Sequence, residues 1–133
     1  MYEIAVLRED EGRGGSVAIH QHFQLGQVLM CKAPQNYFQL QDVDQPAILI
    51  AGGIGITPIK AMAQQLKAQG IALQLHYSGR SLQEMPFVAR LIREFTDSMF
   101  IYAADKRERI NVNAILEQAS RATNIYLWAK KAN

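Results

Sequence analysis

The residues best suited to chemistry are two short glycine clusters, which together hold six of the nine glycines. The first is Gly12-Arg13-Gly14-Gly15-Ser16, and the second is Ala51-Gly52-Gly53-Ile54-Gly55-Ile56-Thr57-Pro58. Each stands between a strand-like stretch and a helix-like stretch. Glycine allows close backbone approach to a ligand, and a helix N-terminus presents unpaired N–H groups and the positive end of its dipole. Both clusters could therefore bind a phosphate group.

The second cluster carries the stronger signal. It follows the apolar run Ala47–Ala51, which is typical of a strand buried on both faces. Thr57 and Pro58 predict a helix start, with Thr57 as the N-cap and Pro58 at the first helical position. The spacing Gly-Gly-x-Gly-x-Thr-Pro matches neither the usual Rossmann fingerprint nor a P-loop. Two interpretations stay open, a pyrophosphate site and a tight strand-to-helix turn.

The first cluster is weaker evidence when taken alone. Backbone N–H groups, the Ser16 hydroxyl and the Arg13 guanidinium together could hold a phosphate. A flexible glycine-rich hairpin loop is the alternative. The flanking patterns predict strands over residues 2–8 and 27–33, and Ser16 is expected to cap a short helix over residues 17–23.

The elements that must position the second cluster alternate between strand and helix. The predicted strands are Ala47–Ala51, Ile71–Tyr77, Met99–Ala103 and Asn124–Trp128. Helices are expected between them: one from Thr57 to near Gly70, one after a Ser81/Glu84 capping box, and one over residues 111–121. Pro86 conflicts with a start as early as Ser81, so the start of the second helix stays open. This order predicts an α/β fold, a Rossmann-like parallel sheet with helices on both faces. Residues 1–45 are expected to belong to an antiparallel unit instead.

Composition removes several classes of function. The chain has 133 residues, of which 49% are hydrophobic and 20% charged, and its net charge is +2. These values argue against disorder and against nucleic-acid binding. Its one cysteine, Cys31, cannot form an internal disulfide or supply the four thiolates of an iron–sulfur cluster. No apolar run is long enough to span a membrane and no signal peptide is visible, so we expect a cytoplasmic protein. No metal site or catalytic triad is predicted.

Four segments in this order resemble the ferredoxin–NADP reductase superfamily. They are Tyr2-Glu3-Ile4-Ala5-Val6, Gly12-Arg13-Gly14-Gly15-Ser16, Ala33-Pro34-x-Asn36-x-Phe38-x-Leu40 and AGGIGITP at residues 51–58. The resemblance is greatest to the branch that contains phthalate dioxygenase reductase and the vanillate demethylase reductase component. It covers roughly residues 2–128, and the combination of the two glycine motifs is more specific than either motif alone.

The resemblance implies an oxidoreductase that passes electrons from NAD(P)H to a flavin and on to an iron–sulfur centre outside this chain. Residues 1–45 would be the C-terminal part of a flavin-binding β-barrel, and residues 46–133 an NAD(P)-binding domain truncated at its C-terminus. The flavin would be FMN or FAD. The implied partner is the oxygenase component or an iron–sulfur domain. The branch favours FMN and NADH by analogy alone.

The resemblance also implies roles for individual residues. The NAD(P) side would comprise Gly52, Gly53, Gly55, Thr57, Pro58, Arg80 and Ser81. The flavin side would comprise Arg13, Gly14, Gly15, Ser16, Asn36 and Phe38. For Arg80, pairing with a ribose 2′-phosphate and a solvated loop arginine both stay open. No catalytic residue is assigned.

Two family motifs are not found in this sequence. The Arg-x-Tyr-Ser/Thr motif that grips the flavin is expected before the YEIAV strand, and Cys-Gly-Pro is expected where Trp128-Ala129 stands. We therefore expect an internal piece of a reductase. The alternatives are a catalytically inactive nucleotide-binding fragment and a purely structural domain. An incomplete barrel also predicts self-association of residues 1–45 through exposed strand edges, or their disorder.

Overall fold

The structure is a computed structural model that describes residues 1–41 and 44–129. Its helices are α1 (Gly15–His22), α2 (Ile56–Ala68), α3 (Val88–Phe95) and α4 (Val112–Gln118). Its strands are β1 (Ala47–Gly52), β2 (Leu73–Gly79), β3 (Met99–Ala103) and β4 (Asn124–Ala129). The chain divides into two compact units, Met1–Gln39 and Leu40–Asn133.

The second unit is built on a four-stranded parallel sheet with the order β3-β2-β1-β4. The chain runs outward from β1 to β3 and then crosses back over β1 to β4. Right-handed crossovers place α2 and α3 on one face and α4 on the other. The Tyr77 hydroxyl donates to the Pro86 carbonyl oxygen just before α3, while Gln74 and His76 line a cavity together with α4. The sheet therefore has helices on both faces, which confirms the predicted α/β fold.

The core of this unit lies between the sheet and α2. Strand β1 is buried on both faces, as the apolar run predicts. The helix buries its predicted stripe against the sheet. The buried stripe consists of Ile59, Met62, Ala63 and Leu66. Helix α2 also contacts α3, because Gln64 Nε2 donates to Glu94 Oε2 over 3.2 Å and the Lys67 ammonium lies over the Phe95 ring.

The start of α2 differs from the predicted one. Helix α2 begins at Ile56 with Gly55 as its N-cap, so Thr57 and Pro58 fall within its first turn. Proline is tolerated there because the first N–H groups of a helix have no intrahelical partner. The start of α4 is close to the predicted residue 111, because Asn111 is its N-cap and accepts from Ala114 N at 3.0 Å. The helix ends at Gln118, before the predicted end at residue 121.

The predicted capping box at Ser81 and Glu84 does not begin α3. These two residues close a single 3₁₀ turn at Leu82–Glu84, in which Ser81 Oγ donates to Glu84 Oε2 over 3.4 Å. Pro86 follows, and α3 begins at Val88 after Phe87, whose φ is 61°. The proline lacks an N–H group, which is why the helix starts beyond it.

The predicted strands over residues 2–8 and 27–33 are wrong, since no strand occurs among the described residues 1–41. A strand forms only where its backbone N–H and C=O groups have a partner strand, and this segment provides none. Helix α1 begins at Gly15, two residues before the predicted start. Its N-cap is Gly14 with φ 95°, and not Ser16. No residue between 1 and 41 is buried.

Candidate functional site

The carboxyl ends of the four parallel strands meet at one edge of the sheet. In the strand register, Gly52 at the end of β1 lies between Ser78 of β2 and Ala129 of β4. Gly79 lies beside Ala103 of β3. The predicted NAD(P)-side segments, Gly52–Pro58 and Arg80–Ser81, therefore follow adjacent strands at the same edge.

Strand β1 adjoins the point where the strand order reverses. The chain leaves β1 towards β2 on one side, and it returns to pair β4 with the other side of β1. In open α/β sheets, ligands bind beyond the carboxyl ends of the strands at such a reversal. The second glycine cluster lies at this position, between β1 and the N-terminus of α2.

Two glycines of this cluster are required by packing against β4. A β-carbon on Gly52 would lie 2.9 Å from Ala129 Cβ. A β-carbon on Gly55 would collide with the Trp128 carbonyl oxygen and lie 2.9 Å from Trp128 Cδ1. These glycines let the turn pass close to β4. The tight-turn interpretation therefore accounts for these two positions without a ligand.

Gly53 differs from its neighbours. Its φ is 55°, a conformation that residues with a side chain rarely adopt, and a β-carbon there would meet no atom within 4 Å. Packing does not explain this glycine, because the space beside it is open. The open space adjoins the 3₁₀ turn Gly53–Gly55, which leads directly into α2. The Ile56 N–H donates to the Gly53 and Ile54 carbonyl oxygens, so the N–H groups without a partner in the preceding turn are those of the 3₁₀ turn itself. Gly53 and this turn thus form a surface that fits a phosphate group.

Thr57 stabilises the turn from within. Its hydroxyl donates to the Ile54 carbonyl oxygen over 3.2 Å, so it joins the helix to the 3₁₀ turn at Gly53–Gly55. The preceding residue, Ile56, is 0% exposed and anchors the turn in the core. Thr57 is therefore not the N-cap that the sequence predicts, and Pro58 is not the first helical residue.

The end of β2 is held in a defined conformation. A β-carbon on Gly79 would collide with Met85, whose side chain is buried against this strand end. The Arg80 carbonyl oxygen accepts from Asp105 N over 2.9 Å, which joins the segments that follow β2 and β3. The Arg80 side chain is exposed at this edge. It is thus available to a ligand as well as to solvent.

The predicted flavin-side residues lie in the first unit. Gly14 and Gly15 stand at the start of α1, and a β-carbon on either would meet nothing within 4 Å. Ser16 Oγ accepts from Glu9 N over 3.0 Å and so closes the loop that holds Arg13, which is exposed.

Asn36 and Phe38 form a local turn in the same unit. Asn36 Oδ1 accepts from Phe38 N over 3.1 Å, which is the geometry of an Asx turn. This contact fixes the backbone at these two positions. The position of Asn36 and Phe38 on the flavin side stays a prediction.

Trp128 is the residue at this edge whose position the sequence did not indicate. It is 48% exposed and lies against Gly55. Its alternation with Tyr126 predicts packing, and its place near the strand end leaves approach to a nucleotide as the alternative; its contact with Gly55 is not predicted. Their environments differ, because Tyr126 is buried and its hydroxyl accepts from Gln41 N over 2.8 Å. The position of Trp128 follows from the pairing of β4 with β1. That pairing depends on the strand order, which the sequence does not show.

Within the described ranges, no cluster of three or more His, Cys, Asp or Glu residues could hold a metal ion. A helix with the length and apolar character needed to cross a membrane is likewise not found there. No protein-family model matches the chain.

Three known proteins show what the chain is similar to. A vanillate O-demethylase oxidoreductase of Acinetobacter baylyi is 36% identical over 127 residues, which are 95% of this chain and 40% of the relative. A carnitine monooxygenase reductase subunit of Acinetobacter baumannii is 31% identical over 130 residues, 98% of this chain and 41% of the relative. The solved structure of phthalate dioxygenase reductase matches with a TM-score of 0.86 at 30% identity, over 95% of this chain and 40% of that one.

The chain belongs to the ferredoxin–NADP reductase superfamily. The named relatives place it in the vanillate demethylase reductase branch, which confirms the predicted resemblance. The structure of phthalate dioxygenase reductase is described as modular, for electron transfer from pyridine nucleotides to 2Fe–2S. This ferredoxin reductase-like chain spans about two fifths of the length of the curated relatives it matches.

Proposed function

We propose that this chain contains the NAD(P)H-binding part of an oxygenase reductase and a portion of its flavin-binding domain. The observation that carries the proposal is Gly53, a positive-φ glycine that faces open space at the strand-order reversal. The pyrophosphate of NAD(P)H would lie against Gly53 and the first turn of α2. Arg80 and Ser81, which follow the adjacent strand, would face the adenosine ribose.

The first unit fits the phosphate of a flavin, FMN or FAD. Gly14 and Gly15 leave space in front of the first turn of α1, and the exposed residue Arg13 directly precedes them in the chain. Asn36 and Phe38 would also lie on the flavin side. When bound, NAD(P)H supplies a hydride, and the flavin releases the two electrons of that hydride one at a time. This chain's residues would bind and orient the two groups.

The electrons would leave the flavin for a 2Fe–2S centre and then for an oxygenase component, both outside this chain. The relatives are reductase components of oxygenase and demethylase systems, which favours this role over that of an inactive nucleotide-binding fragment. We also propose a cytoplasmic location. The free, exposed thiol of Cys31 accords with a reducing compartment.

Paired glycine substitutions test the nucleotide site. Gly53→Ala and Gly70→Ala each place a β-carbon at positive φ with no atom within 4 Å, but Gly70 lies beyond the far end of α2. We expect each to lower the free energy of unfolding by about 1–2 kcal/mol. Only Gly53→Ala should weaken NADH or NADPH binding, by about tenfold or more, because its methyl group occupies the space for the pyrophosphate.

Binding is measured by quenching of Trp128, the single tryptophan, which lies beside Gly55. Equal affinity of the two variants for both nucleotides, at matched stability, would refute the proposed site. Weak binding by Gly70→Ala as well would show that the loss comes from backbone strain.

A further inference from the structure

A cavity lies in the second unit, between α4 and the sheet face opposite to α2. Its volume is about 680 Å³, within the roughly 300–1,000 Å³ that is usual for small-molecule sites. Ala47 and Leu73, at the first positions of β1 and β2, line it. The cavity is therefore nearer the amino ends of these strands, whereas Gly53 follows the carboxyl end of β1. This placement makes it distinct from the proposed nucleotide site.

Three parallel rings form one wall of this cavity. The Phe100 and His76 rings stack with centroids 4.7 Å apart and an interplanar angle of 12°. The Tyr102 ring is tilted by 19° from His76 at 6.0 Å. Phe100 remains 41% exposed, while His76 is only 5% exposed. The wall thus offers aromatic surface on which a planar ring can pack.

The polar groups behind this wall are paired with one another. His76 Nε2 lies 3.3 Å from Gln74 Oε1, and His76 Nδ1 lies 2.9 Å from the Tyr102 hydroxyl. Since an amide oxygen only accepts, Nε2 carries the proton and Nδ1 accepts from Tyr102. Burial lowers the pKa of His76, so this neutral form is favoured. These contacts keep the wall rigid and uncharged.

The charge at the rim comes from arginine. Among the described residues that line the cavity, Arg109 carries a permanent charge and none is acidic. Arg109 is exposed, and no carboxylate of the described part of the chain pairs with it. A guanidinium group matches a carboxylate in a two-point hydrogen-bonded pair. The cavity therefore combines an aromatic wall with an anion-binding rim.

We propose that this cavity binds a small planar aromatic carboxylate, with its ring against Phe100 and its carboxylate paired with Arg109. The site is separate from nucleotide binding and does not depend on the proposed reductase role. It would allow an aromatic acid to bind the nucleotide-binding unit while NAD(P)H occupies the opposite edge of the sheet.

The test uses 2-naphthoate as the probe and amide NMR shifts of the 133-residue chain as the readout. We expect saturable shifts at Phe100, Tyr102 and Ala114, at probe concentrations in the low-millimolar range or below. Arg109→Gln should weaken binding about tenfold, which is a typical effect of losing a charge-assisted hydrogen bond. The neutral probe 2-naphthamide should also bind about tenfold more weakly.

Two further variants keep the result interpretable. Arg121→Gln removes an exposed arginine outside the cavity and should leave the affinity unchanged. Ala114→Phe fills the cavity from α4 and should abolish the shifts, with thermal unfolding confirming that the variant is folded. Shifts that do not saturate, that map elsewhere, or that persist equally in Arg109→Gln would overturn the proposal. NADH shifts confined to the glycine turn would show separately whether the nucleotide site functions.

Discussion

The three glycines of one motif have different physical roles. Gly52 and Gly55 allow β4 to approach the turn closely, while Gly53 faces open space in a conformation that favours glycine. A motif match treats the three positions as equivalent, but only Gly53 has the geometry expected of a ligand contact. Tight packing thus accounts for Gly52 and Gly55, while the ligand contact proposed for this turn rests on Gly53 alone.

The packing role of Gly55 leads to a stability prediction. Gly55→Ala should lower the free energy of unfolding by about 1–3 kcal/mol, because the added methyl group collides with the Trp128 carbonyl oxygen of a strand paired to β1. Urea unfolding followed by Trp128 fluorescence measures this loss. If Gly55→Ala unfolds at the same urea concentration as the parent chain, the close approach of β4 is wrong.

At the scale of elements, a buried histidine joins two strands: His76 of β2 is hydrogen-bonded to Tyr102 of β3. Burial lowers the pKa of His76 from its ordinary value of 6.5. Below pH 6.5 the unfolded chain therefore binds more protons at this residue than the folded chain does. The contribution of His76 to stability is complete above pH 6.5, and it is lost as the pH falls from 6.5 towards the lower pKa of the folded state.

We therefore expect His76→Gln to flatten the pH dependence of unfolding below pH 6.5. Glutamine can retain a hydrogen bond to Tyr102 but does not titrate. Denaturant unfolding over a series of pH values measures the effect, and His22→Gln, at an exposed site in α1, is the matched control. A profile for His76→Gln as steep as that of the parent chain would contradict the prediction.

The elements of the second unit were predictable because their patterns are local. Strand β3 has its predicted limits, and the stripe from Ile59 to Leu66 faces the core as expected. Helix starts were less predictable, since Pro86 and Phe87 displace α3 from its capping box. The contact between Gly55 and Trp128 was inaccessible, because residues 73 positions apart meet only through the sheet order.

At the scale of the molecule, the two units differ in burial. Among the residues that the structure describes, all the buried hydrophobic ones lie between Ala47 and Tyr126. The described residues 1–41 contain none, and several of their large apolar side chains are exposed. The most exposed of these are Met1, Leu25, Met30, Val28, Tyr37 and Tyr2. We therefore expect the second unit to supply most of the stability of the chain, and the first unit to determine how the chain associates.

Exposed apolar surface on the first unit predicts concentration-dependent self-association. Leu25 and Met30 are 107% and 98% exposed, so replacing both with lysine removes apolar surface without disturbing a core. We expect the weight-average mass from light scattering to rise with concentration for the parent chain, and to stay near that of the monomer for Leu25→Lys/Met30→Lys. Leu116→Lys, in α4, is the control and should associate as the parent does, because its site lies in the other unit.

A parent chain that remains monomeric at all concentrations would contradict the prediction of self-association. Association that is abolished by Leu116→Lys would place the interface on the second unit instead.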